Sequence, residues 1–62
     1  MKLKIELTMD NAAFDPVADE IQRILTNIGE DISNGTALCE IGDHETLRDI
    51  NGNTVGEARV TR

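Results

Sequence analysis

The sequence predicts an α+β domain of β-α-β-β order, with one helix packed on a small, mainly antiparallel three-stranded sheet. Three observations carry this. Residues 2–9 alternate strictly between apolar and polar side chains, as a half-buried strand does. Residues 16–33 carry apolar side chains at helical spacing. Asn51-Gly52 sits between two β-prone runs in 47–60, the strongest short-range signal for a hairpin.

In the first strand Leu3, Ile5, Leu7 and Met9 share one face, and Lys2, Lys4, Glu6 and Thr8 share the other. Asp10 to Phe14 is a connection. Asp15-Pro16 reads as an N-cap followed by the first helical residue, because proline lacks an N–H that would be orphaned there anyway. Asp19 and Glu20 suit the positive end of the helix dipole. Val17, Ile21, Ile24, Leu25, Ile28 and Ile32 form one stripe. The polar face is expected to carry Asp19, Glu20, Gln22, Arg23, Thr26, Asn27, Glu30 and Asp31. Gly29 costs the helix about 1 kcal/mol relative to Ala, and either permits a close backbone approach or is simply tolerated. Gly35 reads as the stop. A helix over 16–33 spans roughly 27 Å, about the length of a strand over 2–9, so one helix is expected to cover the sheet's apolar face.

Residues 36–46 fit two descriptions: a short strand with Ala37, Cys39 and Ile41 in alternation, or an irregular segment that tucks Leu38 or Ile41 under the helix end. Gly42 to Glu45 reads as an exposed turn. For the hairpin, a two-residue turn would pair Arg48 with Val55. A three-residue loop closed by Gly52 in the left-handed region would pair Asp49 with Asn53 and Leu47 with Val55. The second keeps two apolar residues on one face and is favoured. Gly56 is then expected to be a bulge, with Val55, Ala58 and Val60 inside and Glu57 and Arg59 outside. The terminal strand is expected between the other two. The expected core is Leu3, Ile5, Leu7, Phe14, Val17, Ile21, Ile24, Leu25, Ile28, Ile32, Leu47, Val55, Ala58 and Val60.

Composition narrows the function classes. The chain has 62 residues, enough for one domain with a thin core. A lone cysteine, Cys39, allows no internal disulfide and points to a reducing, cytoplasmic setting. No apolar block reads as a signal peptide or a membrane span. Asn34-Gly35-Thr36 matches a glycosylation sequon but, without a secretory signal, reads as a helix stop.

The net charge is −6. From residue 5 to residue 47 the acids are Glu6, Asp10, Asp15, Asp19, Glu20, Glu30, Asp31, Glu40, Asp43 and Glu45, against a single base, Arg23. Such a chain does not bind nucleic acid through its phosphates. It suits a protein partner whose own surface is basic, including one built to hold nucleic acid. Solubility alone accounts for the charge equally well.

Catalytic and metal-binding constellations are weak. Cys39 and His44 invite a nucleophile–base reading, but they are the chain's one Cys and one His, with no evident electropositive surroundings to activate the thiol. Two such ligands do not make a structural zinc site. Asp49-x-Asn51-Gly52-Asn53 imitates the start of a calcium loop. The positions that need glycine and a bidentate glutamate hold Thr54 and Val60, so turn chemistry is the favoured reading. Asp43 and Glu45 could pair for acid–base work, but one helix on three strands leaves little concave interior. The expectation is a non-enzyme without metal or cofactor.

Asn11-Ala12-Ala13-Phe14, an Ile-rich helix with a glycine stop, and Leu47-Arg48-Asp49-Ile50-Asn51-Gly52-Asn53-Thr54-Val55-Gly56 together resemble a group of very small proteins encoded by phages, prophages and other mobile elements. The likeness covers most of the chain, and residues 36–44 are longer than the pattern needs. A small, acidic, phage-borne protein also resembles anti-CRISPR proteins, a class without a shared fold. That resemblance implies inhibition by stoichiometric binding, with acidic side chains occupying a site meant for DNA. The implied partner is a host complex with a basic nucleic-acid-binding surface, such as a CRISPR effector, and not nucleic acid or membrane. Within that reading, charge alone nominates Asp19, Glu20, Glu30, Asp31, Glu40, Asp43 and Glu45 as partner-binding residues. The competing reading is an accessory protein that grips another protein through an apolar patch, around Leu38 or Ile50, or through a sheet edge. A domain this small with an exposed strand edge could dimerise, and the sequence leaves that open.

Overall fold

A computed structural model of the protein describes residues 1–35 and 37–62. The chain runs through strand β1 (Lys2–Leu7), a 3-10 turn (Ala12–Phe14), helix α1 (Val17–Ser33), strand β2 (His44–Arg48) and strand β3 (Thr54–Thr61). The three strands form one antiparallel sheet in the order β1-β3-β2, so the terminal strand is central as expected. β3 is the longest strand and carries Val55, Ala58 and Val60 on the covered face, each less than a tenth exposed.

The hairpin has the three-residue loop. The Asp49 N–H donates to the Asn53 carbonyl at 2.9 Å and the Gly52 N–H to the Asp49 carbonyl at 3.0 Å, with Gly52 at φ +86. The bulge lies one residue earlier than expected. Arg48 faces Thr54 while Leu47 faces Gly56, so the extra residue is Val55 and not Gly56. This arrangement keeps both Leu47 and Val55 on the covered face. Gly56 serves the sheet in another way, since a Cβ there would run into the carbonyl of Glu6 on β1. Only glycine lets β1 and β3 close at that point.

α1 starts one residue later than the sequence suggests, with Pro16 in the cap position. The side-chain cap is found one turn upstream, where Asn11 Oδ1 accepts from the Ala13 N–H at 2.9 Å. The helix ends as expected at Gly35, which has φ +71 and donates its N–H to the Ile32 carbonyl at 3.0 Å. The sequon includes Thr36, which lies outside the described residues. Nothing approaches the place of a Cβ on Gly29, so that glycine is tolerated rather than required.

Of the two descriptions of residues 36–46, the irregular one holds for 37–43. Leu38 turns in at φ +58 and joins the core, while Ile41 stays exposed. β2 begins at His44, so the expected turn over 42–45 is half strand.

The core is Phe14, Ile24, Ile28, Leu38, Leu47, Val55, Ala58 and Val60, with Leu7, Ile21 and Ala37 packed around it. Five expected members lie outside it: Leu3 (48% exposed), Ile5 (40%), Val17 (46%), Leu25 (43%) and Ile32 (38%). The reason is where the helix sits. Ile24 and Ile28 point into the sheet, and the flank bearing Arg23, Asn27 and Asp31 lines a groove with β2. By helical rotation of about 100° per residue, Leu25 and Ile32 fall on the opposite flank, towards β1. The helix covers the β2–β3 half of the sheet and leaves the inner face of β1 open at Leu3 and Ile5, while Leu7 still packs against the core.

Candidate functional site

Two groups of acids flank the helix, and they are built differently. The first holds the hairpin turn. Asp49 is buried, and its carboxylate accepts four hydrogen bonds. Oδ1 takes the N–H groups of Asn51 and Asn53, both at 2.9 Å. Oδ2 takes the side-chain amides of Asn53 at 3.1 Å and Asn11 at 2.8 Å. Burial pushes the Asp49 carboxyl upward. The N–H and amide of Asn53, the N–H of Asn51 and the amide of Asn11 together outweigh it, so the net pKa falls below the ordinary value. These four donors take up the acceptor positions of the carboxylate. The Asp-x-Asn-Gly-Asn run is turn chemistry, and it reaches back to the Asn11-Ala12-Ala13-Phe14 connection.

Glu20 continues this network. The sequence places it on the polar face, yet it is only 5% exposed. Its carboxylate receives Arg23 Nε at 2.7 Å and Nη2 at 3.2 Å, and Oε2 also accepts the Ile50 N–H at 2.8 Å. Arg23 above all, helped by that N–H, holds the Glu20 carboxyl below its ordinary value. Arg23 Nη2 also donates to the Arg48 carbonyl at 3.0 Å. Arg48 Nη1 in turn reaches the Gly52 carbonyl at 3.3 Å and Thr54 Oγ1 at 3.1 Å. Both arginines are therefore committed to the hairpin.

The second group lies along the other end of the same flank. Glu30, Asp31 and Glu45 line a groove of about 490 Å³ between α1 and β2, whose lining includes Ile24, Ile28 and Leu47. Asp31, Glu40, Asp43 and Glu45 line an adjoining hollow of about 650 Å³ at the helix end. Glu45 projects from the inner face of β2, opposite Ala58, toward Asp31. The Asp31 and Glu45 carboxyls lie side by side in the groove. That contact, then burial and the Asp31 charge, raises the Glu45 pKa. Glu45 Oε2 is buried and, among the described residues, meets no hydrogen-bond donor. The carboxyl pair is thus Asp31–Glu45. Asp43 is occupied elsewhere: its Oδ2 accepts the N–H groups of Cys39 at 3.0 Å and Glu40 at 2.9 Å, which shapes the loop.

Of the seven acids nominated by charge, Glu30, Asp31, Glu40, Asp43 and Glu45 are gathered on this flank. Asp19 lies apart, lining a third concavity with Ala13, Pro16 and Ile50. Glu20 is buried in the hairpin network and is not an outer-face residue. Arg48 escapes sequence reasoning: it acts on a carbonyl and a hydroxyl across the turn. The Asx-prone run signals the turn chemistry of Asp49 but not its bond to Asn11. Cys39 is exposed, and its Sγ donates to the Ala37 carbonyl at 3.2 Å. His44 stands in β2 opposite Arg59. Among the described residues no three His, Cys, Asp or Glu side chains group as metal ligands, and no helix is long and apolar enough to cross a membrane.

Chemically, the flank offers an open groove with a negative rim, in which the Asp31 and Glu45 carboxyls stand side by side. Compared with protein-family models, with curated proteins and with solved structures, the chain matches none.

Proposed function

We propose that this protein is a small acidic inhibitor of non-enzymatic type that binds a host protein complex in the cytoplasm. The binding surface is the α1–β2 flank, and the partner surface is a basic one built to hold nucleic acid, as in a CRISPR effector. The observation that carries this is the gathering of Glu30, Asp31, Glu40, Asp43 and Glu45 around two adjoining concavities, where the groove's arginines are spent on the hairpin. The rim of these concavities carries a surplus of acids, and its exposed members can meet lysines and arginines that otherwise grip phosphates. Glu30 and Glu40 are exposed and would make the outermost contacts. The likeness of the Asn11–Phe14 and Leu47–Gly56 segments to small phage proteins supports the same reading.

The test is capture of a CRISPR effector complex by the tagged chain at low and high salt, together with the Glu30→Lys and Glu40→Lys variants. Capture that is lost at high salt, and weakened about tenfold or more by the double charge reversal, is the expected result. Capture that survives both would remove acidic competition. It would favour the second reading, in which Ile50, 68% exposed at the hairpin tip, anchors an apolar contact.

A further inference from the structure

β1 lies at an edge of the sheet, and three features of it fit together. The first is its free hydrogen-bonding groups. The Thr8 N–H donates to the Val55 carbonyl at 2.7 Å, so Thr8 and, by the alternation of an antiparallel strand, Glu6, Lys4 and Lys2 direct their backbone groups toward β3. On β3 the Val60 N–H donates to the Asp43 carbonyl at 2.9 Å on the β2 side, which fixes the same phase independently. Leu3, Ile5 and Leu7 therefore direct their N–H and C=O groups away from the sheet.

The second feature is the uncovered apolar row. Leu3 and Ile5 stand on the inner face opposite Val60 and Ala58, yet remain 48% and 40% exposed. Leu25 and Ile32, on the helix flank nearest to them, are 43% and 38% exposed. Together they make an apolar surface continuous with the unpaired edge. A domain of this size has little core to spare, and burying this surface would add to it.

The third feature is charge. On the outer face the strands place like charges side by side: Lys4 is opposite Arg59, whose other neighbour is His44, and Glu6 is opposite Glu57. Like charges in direct cross-strand pairs are unfavourable. The 2.6 Å ion pair from Arg59 Nη2 to Glu57 Oε1 relieves the two rows only within β3.

We infer that β1 is a self-association edge, where two copies of this chain pair antiparallel with Ile5 on the two-fold axis. The choice of register follows from the three features. A two-fold antiparallel pair that uses the free groups of Leu3, Ile5 and Leu7 can be centred on Lys4, Ile5 or Glu6. Centring on Lys4 stacks Lys4 on its own copy, and centring on Glu6 does the same with Glu6. Centring on Ile5 sets each Lys4 opposite the other copy's Glu6. It also sets Leu3 opposite Leu7 and Ile5 opposite Ile5 on the inner face. Each copy's basic row, His44, Arg59 and Lys4, is then continued by the other copy's acidic row, Glu6 and Glu57. The result is a six-stranded sheet with both helices on one face and both acidic flanks at its far ends. A lone edge strand is the kind of surface that pairs with another chain unless it is blocked. Here the sequence complements itself instead.

The experiment is sedimentation equilibrium on the full chain and on Lys4→Glu, Glu6→Lys and the double swap. The wild-type chain is expected to reach the mass of two chains. Each single reversal creates two repulsive cross-strand pairs and should raise the dimer Kd by roughly tenfold or more. The double swap should restore it to within a few-fold. An equimolar mixture of the two single variants should form mixed dimers, since every pair is again of opposite charge. Misfolding does not imitate this pattern. Within the chain, Lys4→Glu faces Arg59 and Glu6→Lys faces Glu57, so neither monomer should melt lower than wild type. A wild-type chain that stays monomeric at the highest concentration reached would overturn the inference and leave the apolar face to a different partner. A dimer indifferent to the single reversals, or a double swap as weak as the single variants, would overturn the edge and register.

Discussion

The two ends of the α1–β2 groove bury acids in opposite ways. At the hairpin end, Asp49 and Glu20 are each surrounded by donors: four hydrogen bonds to Asp49, and Arg23 with the Ile50 N–H to Glu20. At the loop end, Glu45 faces another carboxyl, and its Oε2 meets no donor among the described residues. The first arrangement lowers both pKa values and the second raises one. A buried carboxylate with its lone pairs filled is a structural clamp. A half-buried carboxyl held against another acid gives up stability at neutral pH. The hairpin end is built to hold the fold, and the loop end is the one with chemistry to spare.

Breaking the hairpin end should have the largest effect. Asp49→Ala removes the acceptor for four donors, among them the N–H groups of Asn51 and Asn53 that close the turn and the Asn11 amide that ties it to the connection before α1. Thermal melts should show a fall in Tm of roughly ten degrees or more. Asp49→Asn should do nearly as badly, although it keeps shape and size. Its new amide must face either the Asn11 and Asn53 side-chain amides or the two backbone N–H groups, donor against donor. A mild effect of Asp49→Asn would mean that charge and acceptor count do not hold this turn.

The contrast between the ends also fixes the shape of the pH profile. Glu20 and Asp49 have folded pKa values below their ordinary 4.5 and 3.8, so their stabilisation is complete above those values and is lost as pH falls through the lower folded ones. Glu45 is raised above 4.5, so its contribution is present below 4.5 and is lost as pH rises through the folded value. Tm measured against pH should therefore peak in mildly acidic solution and decline on both sides. A profile that rises steadily to neutral pH would contradict the Asp31–Glu45 pair.

Much of this frame is legible in the sequence because periodicity reports which face is apolar. The stripe locates Ile24 and Ile28, the alternation locates β1, and Asn51-Gly52 locates the turn. Periodicity does not report how much of a face one helix covers. Leu3, Ile5, Leu25 and Ile32 belong to correct stripes and remain exposed because α1 sits over β2 and β3. The bulge at Val55 is hidden for a similar reason, since a bulge at Gly56 leaves the same residues inside. The acids are the hardest. Glu20 lies next to the buried stripe, and its charge makes it look like a surface residue. What buries it is the Ile50 N–H, thirty positions away in the chain. Asp31 and Glu45 meet only through packing, and no local pattern joins them.

The smallest expected effect is also the sharpest test of the loop end. Glu45→Gln keeps the shape of the side chain, removes one of the two facing charges and supplies an N–H₂ that Asp31 can accept. Because the raised pKa of Glu45 marks a cost that grows as pH rises, the variant should melt a few degrees higher than wild type at neutral pH. The difference should shrink as pH falls, where wild-type Glu45 is itself protonated. The acid limb set by Glu20 and Asp49 should not move. The matched Glu20→Gln change should do the opposite, lowering Tm at neutral pH, because there the amide meets Arg23 or the Ile50 N–H with a donor. Opposite signs for two Glu→Gln changes beside one groove would separate the clamp from the charged flank. Equal signs would mean that burial alone, and not the supply of donors, governs both ends.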